Sequence, residues 1–280
     1  MSREILCIGA TNLDRKLRLL GTLHPASSNP AQQTESLGGV ARNVAENLLR
    51  MKLPVRLRTA VGEDDAGRRV LAQIPSAGSL RVRDAATDSY TAVLDGQGEL
   101  VMGLAAMPLV ESLLPAAMPT RLAPLTLIDL NLPAQTVAHL IALAREQEGV
   151  RLLAVAVSEP KMTRLPQDLR GLHGLLLNRG ELQQLHAGES AEALLALHAR
   201  GVQCLALTLG AQGVLCSEAG TTPVALSAPA VEVIEVTGAG DAFAAGVCAA
   251  LWQDHDWLAA CRQGIELAAR ALQTLDSVPQ

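Results

Sequence analysis

The sequence predicts an α/β protein with a central, mostly parallel sheet and a small β lid. Three observations lead to this prediction: short apolar runs alternate with stretches of helical apolar spacing, two segments break that alternation, and no internal repeat is present. The chain has 280 residues and is 49% hydrophobic, which is enough apolar surface for one large core. We therefore predict a single domain over 1–280 with an appended lid.

The alternation predicts the strands and helices in order along the chain. Apolar runs predict buried strands at residues 5–8, 55–61, 125–129, 152–157, 175–177 and 204–209. Apolar residues spaced three and four apart predict helices at residues 40–51, 65–74, 133–148, 181–185, 191–200, 239–253 and 257–275. Strands that alternate with helices in this way typically form a parallel sheet.

Two segments depart from the alternation. Residues 15–37 contain the polar stretch HPASSNPAQQTES, and residues 80–104 alternate in polarity and turn at DGQGE. We interpret both as strands outside the main sheet that form a lid beside the ligand segments; the alternative is a pair of ordinary surface loops. Because a lid made of strands has an exposed edge, it could also join two copies as a homodimer.

Charge and composition exclude several classes of protein. A net charge of -5 disfavours nucleic-acid binding, which usually requires a basic face, so a small polar ligand is expected. No apolar window reaches the roughly 18 to 20 residues that span a bilayer, and the first apolar run is too short for a secretory signal. The five cysteines form no CxxC pair, which indicates reduced thiols in a cytoplasmic protein.

The strongest motif is VTGAGD at residues 236–241, which opens an Ala-rich predicted helix. Gly238 and Gly240 let backbone N–H groups converge, and the helix N-terminus adds a positive dipole end, so the turn suits a phosphoryl group. Asp241 would there accept the proton of an attacking hydroxyl. The alternative, equally compatible with the motif alone, is that Asp241 caps the helix.

A second motif, SLGGVARNVAENLLRM, begins at residue 36 and suits a polyol. Gly38 and Gly39 permit close approach of a ligand, and the Asn43 amide can both donate to and accept from hydroxyls. A buried Asn43 that caps a neighbouring loop is the alternative. Asn12 and Asp14 follow the first predicted strand, where open α/β sheets bind ligands.

The third motif combines NRGE at residues 178–181 with TLGAQG at residues 208–213, each after an apolar run. Asn178 and Glu181 could act through water on Mg²⁺, which usually keeps several waters. The alternative is that these two residues form a helix capping box. The glycines Gly210 and Gly213 carry little information outside this order of motifs.

Together these motifs resemble the ribokinase-like (PfkB) family of carbohydrate and nucleoside kinases over essentially the whole chain. An N-terminal Asp, GG-x-x-x-N, AVGEDDAG, NxxE, T-x-G-x-x-G and GAGD occur in the family's order. The resemblance implies a ribokinase-like three-layer sandwich and an ATP-dependent phosphotransferase with an alcohol acceptor. It implies that Asp241 is the general base and that Gly238, Ala239 and Gly240 form the anion hole. It assigns the nucleotide side, with Glu181 reaching Mg²⁺ through water, to Asn178, Glu181, Thr208, Gly210, Gly213 and Thr237.

Within the family, both ligand segments resemble the pseudouridine kinase branch, which implies phosphorylation of the 5′-hydroxyl of pseudouridine. The ribose would contact Asn12, Asp14, Gly38, Gly39 and Asn43. Ser89, Tyr90 and Thr91 would face the base, although in a strand Ser89 and Thr91 share one face and Tyr90 takes the other. The alternatives are another acceptor, such as ribose, adenosine or another furanoside, and a non-catalytic nucleoside-sensing protein.

The chain departs from the family pattern at three places. AVAVSEP after residue 152 lacks the usual Asp-Pro, although Lys161 follows it, and LLLN replaces Lys-Pro-Asn before NxxE. Glu235 stands where a monovalent-cation loop would carry Asp, which leaves a requirement for K⁺ open.

Overall fold

The computed structural model describes residues 4–186, 188 and 190–274. The strands, in chain order, are β1 Ile5–Ile8, β2 Asn12–Leu19, β3 Ala31–Gly38, β4 Val55–Arg58, β5 Ala60–Gly62, β6 Leu80–Val82, β7 Ser89–Leu94, β8 Leu100–Ala106, β9 Leu125–Asp129, β10 Arg151–Val155, β11 Gly174–Asn178, β12 Cys204–Thr208, β13 Val214–Glu218 and β14 Val224–Leu226. The helices are α1 Val40–Arg50, α2 Asp65–Gln73, α3 Ala134–Glu146, α4 Arg179–Leu185, α5 Ser190–Ala199, α6 Ala239–Trp252 and α7 Trp257–Ala271.

The central sheet has eight strands in the order β14-β13-β12-β11-β10-β9-β1-β4. Neighbouring strands are parallel from β4 to β12, and β13 and β14 add an antiparallel pair at one edge. The predicted, mostly parallel α/β sheet is therefore confirmed. The carboxyl ends of its parallel strands meet at one edge, which is where such sheets bind ligands.

Helices cover both faces of this sheet and complete three layers. In β1, Ile5 and Cys7 pack into the core shared with α1, α6 and α7, whereas Leu6 and Ile8 pack into the core shared with α3, α4 and α5. Successive side chains of a strand point to opposite faces, so both faces must be apolar when both are covered. This explains why these strands are visible in the sequence as continuous apolar runs.

A second sheet, the lid, has four strands in the order β3-β2-β7-β8. Its outer pairs are antiparallel, and β2 and β7 are parallel. The predicted turn at DGQGE closes the β7–β8 hairpin, where the backbone N of Asp95 donates to the carbonyl oxygen of Glu99 at 2.9 Å. The lid begins earlier than residue 15, at Asn12, and β6 pairs with β5 rather than with the lid.

The remaining differences from the prediction are two additional strands, β13 and β14, and the residues at which some elements end. The run 55–61 forms two strands, because β4 stays in the central sheet while β5 leaves it to pair with β6. The helix predicted over 257–275 ends at Ala271, and residue 275 lies outside the described residues. All five cysteines are buried and free. Over the described part of the chain, no helix has the length and apolar character needed to cross a membrane.

Candidate active site

Asp241 lies in the first turn of α6, directly after the glycine-rich turn. The helix cap is Gly238, with a φ of 85°, a left-handed conformation that glycine adopts without strain. Asp241 is therefore not the cap, contrary to the alternative considered from the sequence. A Cβ at Gly240 would meet no atom within 4 Å, so open space lies beside the turn. The first N–H groups of a helix and its dipole favour an anion in such a space.

The Asp241 carboxylate is held by Asn43 of α1. The Asn43 Nδ2 donates to Oδ2 of Asp241 at 2.7 Å. The Asn43 Oδ1 accepts from Arg42 Nη1 at 3.0 Å, and the same Nη1 donates to the carbonyl oxygen of Leu37 at 2.9 Å. Because the Arg42 guanidinium only donates, it fixes which side of the Asn43 amide faces Asp241. Asn43 therefore orients the carboxylate rather than capping a loop.

The environment of Asp241 shifts its pKa to about 7. Burial is the main cause, because it disfavours the charged form. The hydrogen bond from Asn43 opposes this shift, while the negative charges of Asp129 and Asp14 add to it. A carboxylate whose pKa lies near neutral pH is suited to take up and release a proton during a reaction.

Asp129, at the end of β9, is a residue of this region that the motifs did not reveal. Its buried Oδ2 accepts from the backbone N of Ala10 and of Ala41 at 2.9 Å each, and Oδ1 accepts from the N of Asn131 at 2.9 Å. A Cβ at Gly9 would lie 2.3 Å from Oδ2. Asp129 thus ties the end of β1 to the start of α1. The sequence offered one signal for Asp129: a carboxylate at the end of a buried strand needs hydrogen-bond donors, because an unpaired buried charge is costly.

Asn12 and Asp14 lie on β2, at the start of the lid. The Asn12 Nδ2 donates to Oδ1 of Asp14. A Cβ at Gly38, which pairs with Asn12, would lie 2.0 Å from Oδ2 of Asp14. Gly39 has a φ of 101°, and its Cβ would lie 2.4 Å from the carbonyl oxygen of Ala10. No side chain would fit at either glycine, because Asp14 and the Ala10 backbone lie too close. In this arrangement the charge of Asp14 raises the pKa of Asp241.

The register of the lid decides which predicted residues share a face with Asp14. Asp14 pairs directly with Tyr90 in the β2–β7 ladder, so their side chains lie on the same face. Ser89 and Thr91 lie on the opposite face, as the two-residue period of a strand requires. A Cβ at Gly103 would lie 2.3 Å from the Tyr90 hydroxyl, which therefore crosses over β8. The structure brings Tyr90, but not Ser89 or Thr91, to the side of Asp14.

A cavity of about 720 Å³ lies between the ends of β11 and β12 and the loop before α6. An adjoining cavity of about 200 Å³ reaches Asp241 and Glu181. A larger surface groove of about 970 Å³ contains none of the predicted site residues. Of the predicted nucleotide-side residues, the 720 Å³ cavity is lined by Asn178, Thr208, Gly210 and Gly213.

Asn178 and Glu181 form the capping box that was the alternative interpretation of NRGE. The backbone N of Glu181 donates to Oδ1 of Asn178 at 2.9 Å, and the backbone N of Asn178 donates to Oε2 of Glu181 at 2.7 Å. Burial raises the pKa of Glu181. The capping bonds occupy one carboxylate oxygen, and Glu181 also lines the smaller cavity with Asp241. A structural role therefore does not remove Glu181 from the site.

Thr237, which the resemblance assigns to the nucleotide side, and Lys161 both make contacts away from the cavity of about 720 Å³. Thr237 is not part of the cavity lining, and its Oγ1 donates to Oε1 of Glu235 at 2.7 Å. Lys161 donates to Oδ1 of Asn131, beyond the end of β9, and does not line the cavity either. Within the described ranges, no three His, Cys, Asp or Glu side chains lie close enough together to hold a metal ion.

Comparisons with known proteins show which chains this one resembles. The profile of the family described as "pfkB family carbohydrate kinase" matches residues 2–278. The chain is 30% identical to a pseudouridine kinase of Escherichia coli, over 89% of this chain and 84% of that protein. It is 28% identical to the uncharacterized sugar kinase YeiI of E. coli, over 96% of this chain and 78% of that protein. A ribokinase structure from Thermotoga maritima, 19% identical, superposes with a TM-score of 0.88 over 98% of this chain and 95% of the other.

Proposed function

This chain belongs to the pfkB family of carbohydrate kinases and is an ATP-dependent kinase, and we propose that its acceptor is the 5′-hydroxyl of pseudouridine. The products would be pseudouridine 5′-phosphate and ADP. The observation that carries the proposed chemistry is the Asn43–Asp241 hydrogen bond of 2.7 Å, and the similarity to a pseudouridine kinase suggests the acceptor. This hydrogen bond joins the proposed base to the helix that follows the paired glycines of the acceptor segment.

In the proposed reaction, Asp241 takes the proton of the acceptor hydroxyl as that oxygen attacks the γ-phosphorus. A new P–O bond forms while the bond from the γ-phosphorus to the bridging oxygen of ADP breaks. The backbone N–H groups of the turn at Gly238, Ala239 and Gly240 would stabilise the charge on the transferring group. Asp241 later releases the proton to solvent, which its pKa of about 7 permits at neutral pH.

The acceptor side supports a nucleoside. Asp14 and Asn43 present carboxylate and amide groups that suit ribose hydroxyls, and Tyr90 extends the same face of the lid toward a base. The relative at 30% identity is described as a pseudouridine kinase. The relative at 28% identity is described only as a sugar kinase, so the relatives do not agree on one substrate. The substrate is therefore the part of the proposal that needs the direct test.

The nucleotide side fits ATP with Mg²⁺. The cavity of about 720 Å³ is large enough for a nucleotide and leads to the smaller cavity at Asp241. Mg²⁺ would be held by phosphate oxygens and, through water, by Glu181, and it would offset the phosphate charge. K⁺ at Glu235 fits less well, because the Lys16 ammonium already contacts that carboxylate at 2.6 Å.

The lid also supports the proposed homodimer. β8 is an edge strand of the lid and carries exposed apolar side chains, including Leu100, Met102 and Leu104. Exposed edge strands with apolar side chains favour pairing with a second strand. Sedimentation velocity of the wild type and of Met102→Lys should show a dimer that the substitution weakens, and a wild-type monomer at all concentrations would contradict it.

The decisive experiment measures ADP release with pseudouridine, uridine, adenosine and ribose side by side, and without acceptor. We expect pseudouridine to give the highest kcat/KM and Asp241→Asn to lower the acceptor-dependent signal by about a hundredfold or more. A higher kcat/KM for another acceptor would replace pseudouridine and leave the kinase assignment unchanged. No acceptor-dependent ADP release from any of the four would favour a nucleoside-sensing protein over this acceptor assignment.

A further inference from the structure

The lid and the turn before α6 are joined by an ion pair between residues 219 positions apart in the chain. Lys16 lies on β2 of the lid, and its Nζ donates to Oε2 of Glu235 at 2.6 Å. The side chains retain 33% and 25% of their exposure, so the pair is partly shielded from water. It therefore retains more of its attraction than a fully exposed pair would.

Glu235 is bound on both of its carboxylate oxygens. While Oε2 accepts from Lys16, Oε1 accepts from the backbone N of Thr237 at 3.0 Å and from its Oγ1 at 2.7 Å. Thr237 directly precedes Gly238, the cap of α6. Glu235 thus connects Lys16 to Thr237, the residue directly before the anion turn.

The charges explain why a lysine is needed at this place. A carboxylate three residues before Gly238 would oppose the binding of a phosphoryl group at the turn. Burial alone would raise the pKa of Glu235, but hydrogen bonds from Lys16 and Thr237 lower it to about 2, so it is charged at neutral pH. The Lys16 ammonium neutralises this charge while the lid is in place.

The acceptor residue Asp14 lies two positions before Lys16 and on the same face of β2, as their partners Tyr90 and Ala92 in β7 also show. A ligand that holds Asp14 in place therefore also holds Lys16 in place. We propose that Lys16 is a positioning residue that, through Glu235 and Thr237, makes the geometry and charge of the anion turn depend on the placement of the lid. This inference rests on the proposed kinase function of the same site.

The kinetic test compares Lys16→Met, Glu235→Gln, the double variant and Lys16→Arg. Lys16→Met and Glu235→Gln should each lower kcat about tenfold, the size expected for a lost charge-assisted contact. The double variant should be no slower than the slower single one, because both changes remove the same interaction. Lys16→Arg should recover most of the rate. Independent, multiplying losses, or no loss in either single variant, would overturn the proposal.

The matched control is the ion pair between Arg15 and Glu35 on the opposite face of the same lid, at 3.0 Å. Arg15→Met and Glu35→Gln should leave kcat within about twofold, because exposed pairs contribute little. If these controls lowered kcat as much as Lys16→Met, the effect would come from the stability of the lid, and the positioning role would be wrong.

A second measurement does not depend on activity. The Thr237 amide donates to Glu235, so its hydrogen exchange in the ligand-free protein reports whether Lys16 holds this segment. We expect exchange about tenfold faster in Lys16→Met and unchanged exchange in Arg15→Met. Unchanged exchange in Lys16→Met would refute the inference. Hydrogen exchange needs no substrate, so it tests the role of Lys16 even if none of the tested acceptors is phosphorylated. Failure to phosphorylate any acceptor would refute the proposed acceptor but not the role of Lys16.

Discussion

Replacing Asp241 by Asn should separate what this carboxylate contributes to the reaction from what its burial costs in stability. The pKa of Asp241 is raised from 3.8 to about 7, mainly by burial, so the folded chain binds this proton more tightly than the unfolded chain. A shift of about three pKa units corresponds to about 4 kcal/mol. Because the Asp241 side chain is half-buried and borders a cavity, we expect about 2–4 kcal/mol in practice.

The sign of this effect follows from linkage. Below about pH 4 the carboxyl group is protonated in both states, so its contribution to stability is fully retained. As the pH rises from about 4 to about 7, the unfolded chain loses the proton first, and the folded state is destabilised progressively. Above about pH 7 the penalty is complete. Asn cannot ionise, so Asp241→Asn is free of this penalty at every pH.

The assay is urea unfolding of the wild type and of Asp241→Asn at pH 5 and at pH 8.5. The advantage of the variant in the free energy of unfolding should grow by about 2 kcal/mol between these pH values. Asp14 and Asp129 are present in both proteins, so the part of their titration that does not depend on the charge of Asp241 cancels in the difference. A difference that does not change with pH would refute the raised pKa.

The same variant tests the catalytic role. Turnover should fall by about 10² to 10⁴, the usual value of general-base assistance, while ATP binding is retained. Near-normal turnover, with phosphoryl transfer shown to be the slow step, would exclude Asp241 as the base.

Three further predictions follow from the site. Asp14→Ala and Asn43→Ala should each raise the KM for the acceptor far more than that for ATP, because they remove hydrogen bonds on the acceptor side; equal increases for both substrates would contradict this assignment. Pseudouridine should exceed uridine in kcat/KM by about fivefold to a hundredfold. Uridine lacks the additional ring N–H of pseudouridine and would leave a buried acceptor group of the site without a hydrogen bond; a kcat/KM for uridine that is equal or higher would exclude this base specificity. Gly213→Ala should destabilise the protein by more than about 2 kcal/mol, because φ is 95° and the new Cβ would lie 1.9 Å from the Leu226 carbonyl oxygen. Gly210→Ala, whose Cβ meets no atom within 4 Å, should cost about 1 kcal/mol in thermal or urea unfolding, and equal costs for the two would refute the steric argument.

The order of the elements could be predicted because each depends on local features. Buried strands such as β9 and β11 are continuous apolar runs, since both of their faces are covered. The turn at Gly238 and the DGQGE hairpin were predictable because glycine and turn residues favour these conformations wherever they occur. β13 and β14 were not predicted. In β13 the apolar run stops after Cys216, and β14 is an edge strand of three residues, two of them exposed.

The candidate site was only partly predictable. The sequence identified Asp241 and Asn43 as separate candidates, each with a structural alternative. Their hydrogen bond at 2.7 Å joins residues 198 positions apart, and the cap of α6 is Gly238 rather than Asp241. For Asn178 and Glu181, in contrast, the structure does contain the capping box of the structural alternative, which is a local pattern of four residues.

The sequence by itself determined which chemical groups are present and which local turns present them. The tertiary structure alone decided which groups meet: Asp129 with Ala10 and Ala41, Tyr90 with the face of Asp14, and Lys16 with Glu235. The physical reason is that these contacts depend on strand register and helix packing. A shift of one residue in the lid would exchange Tyr90 for Ser89 or Thr91 without changing a single local preference.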